Sequence, residues 1–171
     1  MKSIEITGKR NIDKMNNVKN PQRKNVTNGK IDEHYFTYLK QIQIINNLYL
    51  EQSIEYEVLV KREITKKING YKNQDILKSL LNKYKIISLD QVIEMLMESK
   101  LTCFYCHGHC ELLYRDVLSK KQWTLDRIDN NLGHNHDNVV ISCLECNVKR
   151  GDMDSERFKR GKEIKIVRKL F

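Results

Sequence analysis

This 171-residue sequence predicts an α+β fold, a helical section followed by a small metal-clamped finger, with a basic arm at each end. Two observations carry that prediction. Between residues 35 and 97 apolar side chains recur at three- and four-residue steps, the period of helices that bury one face. From residue 101 the pattern changes to short extended runs enclosed by two Cys-x-x-Cys pairs, Cys103 to Cys106 and Cys143 to Cys146, with 36 residues between them.

Residues 1–31 hold no sustained apolar period, are rich in Asn and Lys, and contain the single proline, Pro21. They read as an arm without packed structure. The helical region spans 32–100. Tyr35, Phe36, Leu39, Ile42 and Ile45 describe one stripe, and Ile54, Val58, Ile64 and Ile68 a second that Gly70 closes. A third helix is expected over Gln74–Tyr84, with Asn73 as its cap and Ile76, Leu77, Leu80 and Leu81 on its core face. A fourth starts at Ser88, where Ser88 and Gln91 have capping-box spacing, and carries Val92, Ile93, Leu96 and Met97 to Lys100. No linker separates it from the first Cys pair. These stripes read as packing surfaces that bury one another.

The finger domain spans 101–152. Glu111–Val117 and Gln122–Ile128 read as strands, the second because Trp123, Thr124 and Ile128 favour extended backbone, with Trp123 as core. A polar turn-rich loop follows, then a buried strand over Val139–Ser142 and a helix over Leu144–Arg150. This order sets Asp126 on a strand close to Asn147 on the helix. Residues 153–171 form a basic tail.

Two Cys-x-x-Cys pairs at this separation suit one tetrahedral Zn²⁺, because each pair spans a knuckle turn and the chain between them is long enough to fold back. Cys103, Cys106, Cys143 and Cys146 are the expected ligands. Cys110 is an alternative partner for Cys106. Five cysteines are an odd number for a disulfide framework, and four in two knuckles suit metal ligation in a reducing compartment. No apolar run reaches the roughly 20 residues needed to span a bilayer, and the N-terminus lacks the apolar centre of a signal peptide. A soluble intracellular chain is expected.

The net charge of +9 is concentrated at the ends. Residues 1–32 carry eight Lys or Arg against three acidic residues and residues 147–171 carry nine against four, whereas the middle holds 14 against 15. Basic arms around a neutral body suit contact with the phosphates of a nucleic acid, and equally suit simple solubility.

The stretch from Leu101 to Asp152 resembles the HNH nuclease domain of the ββα-metal type, in the zinc-stabilised subgroup found in large DNA viruses of eukaryotes. The residues that carry the resemblance are the two knuckles, Leu125-Asp126 before the turn, Gly133-His134, Asn138-Val139, and Cys146-Asn147 followed by Lys149 and Arg150. It covers about 50 of the 171 residues. It implies a DNA endonuclease, with RNA open as a further substrate, a structural zinc, and a catalytic Mg²⁺ or Mn²⁺. Asp126 matches the family's metal carboxylate, Asn147 its helix ligand and Asn138 the Asn that orients the loop. A hard cation prefers such oxygen ligands, and two of them leave room for water and phosphate. Asp126→Ala is accordingly expected to remove the ion and spare the fold.

The sequence departs from the family at the base. Arg127 stands where the family has His, and a guanidinium cannot take a proton from water. Three readings stay open. Arg127 clamps phosphate while His134, His136 or Asp129 is the base; or a metal-bound hydroxide acts directly; or catalysis is lost and the chain is a zinc-stabilised nucleic-acid-binding protein on an HNH scaffold.

Overall fold

The computed structural model describes Ile12, Met15 and residues 31–164. The expected arm over 1–31 and the end of the basic tail therefore lie almost wholly outside the described residues. Within them the chain is α+β, with helices packed beside a two-stranded antiparallel sheet.

A 3-10 turn at Glu33–Phe36 leads into helix α1, Tyr38–Tyr49. The two do not merge into one helix, because Thr37 between them is extended. α1 consequently buries Gln41, Ile44, Ile45 and Leu48, a face at steps of three and four, and turns Leu39 of the expected stripe out to solvent. Helix α2, Glu57–Leu77, buries Val60 and Ile64. It runs unbroken through Gly70, and no separate helix forms over Gln74–Tyr84. A glycine inside a helix costs about 1 kcal/mol relative to Ala but leaves the hydrogen-bond ladder intact, so it slows a helix without ending it. The stop comes at Ser79, whose φ of 57° is left-handed, with Leu80 N turning back to donate to Asp75 O at 2.8 Å. Val58, Ile76 and Leu77, expected in the core, are exposed.

Helix α3, Leu89–Glu98, opens with the capping box read from the sequence. Gln91 N donates to Ser88 Oγ at 3.2 Å and Ser88 N to Gln91 Oε1 at 2.9 Å. Val92, Ile93 and Leu96 on this helix are buried against α1 and α2.

The finger begins directly after α3. Strand β1, Trp123–Arg127, pairs antiparallel with β2, Val139–Cys143, in a register that sets Trp123 opposite Cys143 and Asp126 opposite Val140. Helix α4, Leu144–Arg150, follows β2 without a break, and α5, Ser155–Glu163, extends the ordered finger past residue 152 into the tail. Phe158 of α5 packs edge-on against Tyr105 at 5.1 Å.

The strand expected over Glu111–Val117 does not form. Its only ladder contact is a single bridge from Glu111 to Gln122. The buried side chain of Gln41 takes the place of a neighbouring strand, accepting from Leu112 N at 2.6 Å and Leu113 N at 3.2 Å and donating to Leu113 O at 3.2 Å. A side-chain amide thus satisfies the backbone groups that a ladder would otherwise use.

Candidate metal centre and the cleft beside it

The Sγ atoms of Cys103, Cys106, Cys143 and Cys146 all lie within 4.8 Å of one another, and Cys106 and Cys143 are 3.9 Å apart. Zn–S bonds of about 2.3 Å in a tetrahedron set thiolates roughly 3.8 Å apart, so the four sulfurs fit one such ion. The cluster can hold a metal ion, and an all-sulfur tetrahedron suits zinc or iron.

Local structure makes the site. Cys103 N donates to Gly108 O at 2.9 Å and His107 N to Cys103 O at 3.0 Å, which closes the first knuckle with His107 at a φ of 56°. In the second, Cys143 caps α4, its sulfur accepting from Cys146 N at 3.4 Å. Hydrogen bonds from the neighbouring Cys110 and Cys143 thiols hold Cys103 well below the usual thiol range, and the same contacts with burial push Cys110 and Cys143 up. A metal bound by the four would take them as thiolates, so its binding would release protons. Cys110 stands outside the four as a donor to Cys103.

A cleft of about 830 Å³ opens between α2 and the finger. Lys66, Lys67, Tyr71 and Lys78 line it on one side, and Asp126, Arg127, His134, Asn147 and Arg150 on the other. Asp126 and Asn147, set on different elements, therefore share one wall. Asn147 Nδ2 donates to Thr124 Oγ1 at 3.1 Å and to Leu125 O at 3.3 Å, and its Oδ1 accepts no hydrogen bond among the described residues.

Asp126 is buried and engaged. Arg150 grips it with Nε to Oδ2 at 2.7 Å and Nη2 to Oδ1 at 2.9 Å, and Tyr105 Oη donates to Oδ2 at 2.8 Å. Arg150 also reaches the Arg127 carbonyl and Asn130 Oδ1, closing a network that ties β1, α4 and the loop together. The expectation that Asp126→Ala spares the fold is thereby corrected. That change leaves a buried guanidinium without its carboxylate, and we expect it to cost about 3–5 kcal/mol, read as a lower midpoint in chemical denaturation.

The remaining sequence-chosen residues divide by role. Asn138 spends its side chain on the loop, with Oδ1 accepting from Asp129 N at 2.9 Å and Nδ2 donating to the Asp129 and Gly133 carbonyls at 3.0 Å each. It does not line the cleft. Arg127 donates to the Asn130 and Leu132 carbonyls at 3.1 and 3.0 Å, so its guanidinium braces the same loop. Asp129 caps a turn at Asn131 N, and His136 is exposed. His134 is buried, its Nδ1 2.8 Å from Asp75 Oδ1.

Three residues escaped the sequence reading, Asp75, Lys67 and Tyr105, and a fourth, Arg150, was noted there without a role in the site. Arg150 lies three residues beyond Asn147 on α4, so a helical projection places both on the side that faces Asp126. Asp75 is 59 positions from His134, and no local pattern connects them. Lys67 donates to Gln122 Oε1 at 3.0 Å and to the Trp123 carbonyl, and lies 4.7 Å from the Trp123 ring centroid. Burial pushes its amine down to about 7. Trp123 is core.

No protein-family model, curated protein or solved structure matches the chain.

Proposed function

We propose that the chain is a metal-dependent endonuclease of the HNH type, hydrolysing phosphodiester bonds in DNA, with structural zinc in its four-cysteine cluster. One observation carries the reading: Asp126 on β1 and Asn147 on α4 stand on one wall of a cleft whose opposite wall bears lysines. The strand–strand–helix order behind the cysteine clamp agrees with the ββα-metal finger that the sequence resembles. Asn147 Oδ1 is unengaged and Asp126 Oδ1 accepts a single bond, so the pair has oxygen valences left for Mg²⁺ or Mn²⁺. When bound there, such an ion stabilises the charge that develops on the phosphoryl and leaving oxygens. The protein's own part is to hold the phosphodiester between the walls, with Lys66 and Lys78 exposed to phosphate and Arg127 keeping the loop in place.

A second reading has a specific observation in its favour. The Arg150 guanidinium already neutralises Asp126, which is the service a cation would perform, so the scaffold suits a nucleic-acid-binding protein without cleavage. The deciding experiment is nicking of supercoiled plasmid, and of RNA, by the purified full chain with Mg²⁺ or Mn²⁺. Cleavage that requires the ion supports the first reading; binding without cleavage under every ion leaves the second.

Both readings require phosphate contacts, and these are measurable separately. Lys66→Ala and Lys78→Ala are each expected to lower the magnitude of the slope of log K against log salt by about 0.9, and deletion of residues 1–31 by several times that. An unchanged slope for the Lys66 and Lys78 variants would remove the α2 wall from the interface.

A further inference from the structure

We propose that His134 is the proton acceptor of this cleft and that Asp75 is its positioning residue, an inference that rests on the nuclease reading. The pair is assembled from two distant parts of the chain. Asp75, buried near the end of α2, takes His134 with both oxygens: Oδ2 accepts from the backbone N at 2.7 Å and Oδ1 faces Nδ1 at 2.8 Å. Tyr71, one turn earlier on α2, stacks on the imidazole at a centroid distance of 4.6 Å. Gly133 makes the docking possible, since a Cβ there would sit 2.6 Å from Leu80 O and 2.9 Å from Asp75 Oδ2.

The chemistry follows from the acceptor. An ionised carboxylate only accepts, so Nδ1 carries the ring proton and Nε2 keeps its lone pair. Nε2 enters no hydrogen bond, and Asn135 Oδ1 is the one fully buried side-chain polar atom left unpartnered among the described residues, so Nε2 keeps some exposure on a residue that lines the cleft. A purely structural loop tie needs only the backbone contact to Oδ2. The second contact selects a tautomer, and selects the one that can take a proton from a molecule in the cleft. Arg127, beside Asp126, cannot do this at any relevant pH.

In the step itself His134 Nε2 takes one proton from water as the water oxygen bonds to phosphorus and the bond from phosphorus to the leaving sugar oxygen breaks. Solvent then protonates the leaving oxygen, and His134 returns its proton to solvent. Burial and three charged groups set when His134 is neutral: burial and Arg127 oppose its protonation, while Asp75 and Asp126 favour it, and burial leads, so it titrates below the ordinary imidazole value. The acid limb of the rate should therefore fall below the usual histidine range.

The test is single-turnover plasmid cleavage by the full chain with Mg²⁺ or Mn²⁺, as a function of pH. His134→Ala is expected to slow cleavage on the order of 10²–10⁴-fold while DNA affinity holds, and added imidazole should restore a large part of the rate. Asp75→Asn keeps the contact to the backbone N but presents an amide donor to Nδ1, which moves the ring proton to Nε2; a loss of similar size is expected. Should Asp75→Asn not fold, imidazole rescue of His134→Ala decides alone. If wild type cleaves and imidazole restores nothing, or Asp75→Asn cleaves within a few-fold of wild type, the pair is structural and the nuclease reading survives without it. If wild type cleaves nothing with any ion, both fall together.

Discussion

Cys143→Ser is expected to purify without zinc and with its finger unfolded at neutral pH, whereas the wild-type chain is expected to carry one zinc per molecule. The serine hydroxyl can still cap α4, as the sulfur does towards Cys146 N, so the change removes a metal ligand and spares the cap. What is lost is large. Structural zinc contributes roughly 10–16 kcal/mol in small fingers, as much as the whole stability of many domains. The finger has little with which to compensate, since its sheet is two five-residue strands and its core centres on Tyr105, Trp123, Leu125 and Ile141. Helices α1 and α3, packed on each other, should persist, leaving a partly helical circular dichroism spectrum. Acidification should reproduce the loss, because the ligands bind as thiolates and protons compete with the ion. A full zinc complement in Cys143→Ser would overturn the four-cysteine assignment.

What could be read in the sequence was whatever local chemistry dictates. The knuckles, the capping box at Ser88, the paired strands β1 and β2 and the short helix α4 all follow from residues within a few positions of one another. Burial did not follow so directly. Ile76 and Leu77 have the spacing of a core face yet stand in solvent, because α2 carries on through Gly70 and its last turn swings Asp75 inward. The stretch 111–117 has strand composition, but it is held by one amide from a helix 71 and 72 positions before the residues it binds, a contact that no window on the sequence contains. The same limit governs the cleft. Asp126 and Asn147 could be paired from the strand-then-helix order, while the carboxylate that fixes His134 and the guanidinium that fixes Asp126 became apparent only once the chain was folded.

Asn147→Ala is the variant that separates catalysis from scaffold. Its side chain is half-exposed and makes two hydrogen bonds, each worth about 1 kcal/mol net, so zinc content and DNA affinity should hold and the loss of stability should stay within about 2 kcal/mol, below that of Asp126→Ala. In the nuclease reading the same change removes one of two oxygens offered to the divalent ion, and cleavage should fall by at least about 10²-fold. Asp126→Asn is its companion. It retains the volume of the carboxylate and an acceptor for Arg150, but withdraws the negative charge that both the ion and the guanidinium require, so loss of cleavage should come with a measurable loss of stability. A readout independent of turnover completes the comparison: Mg²⁺ or Mn²⁺ at about 100 times its dissociation constant stabilises a folded binder by roughly 2.7 kcal/mol, and this increment should appear in wild type and shrink in both variants. If wild type gains nothing from either ion, Arg150 is the only cation that Asp126 serves, and the chain binds nucleic acid without cutting it.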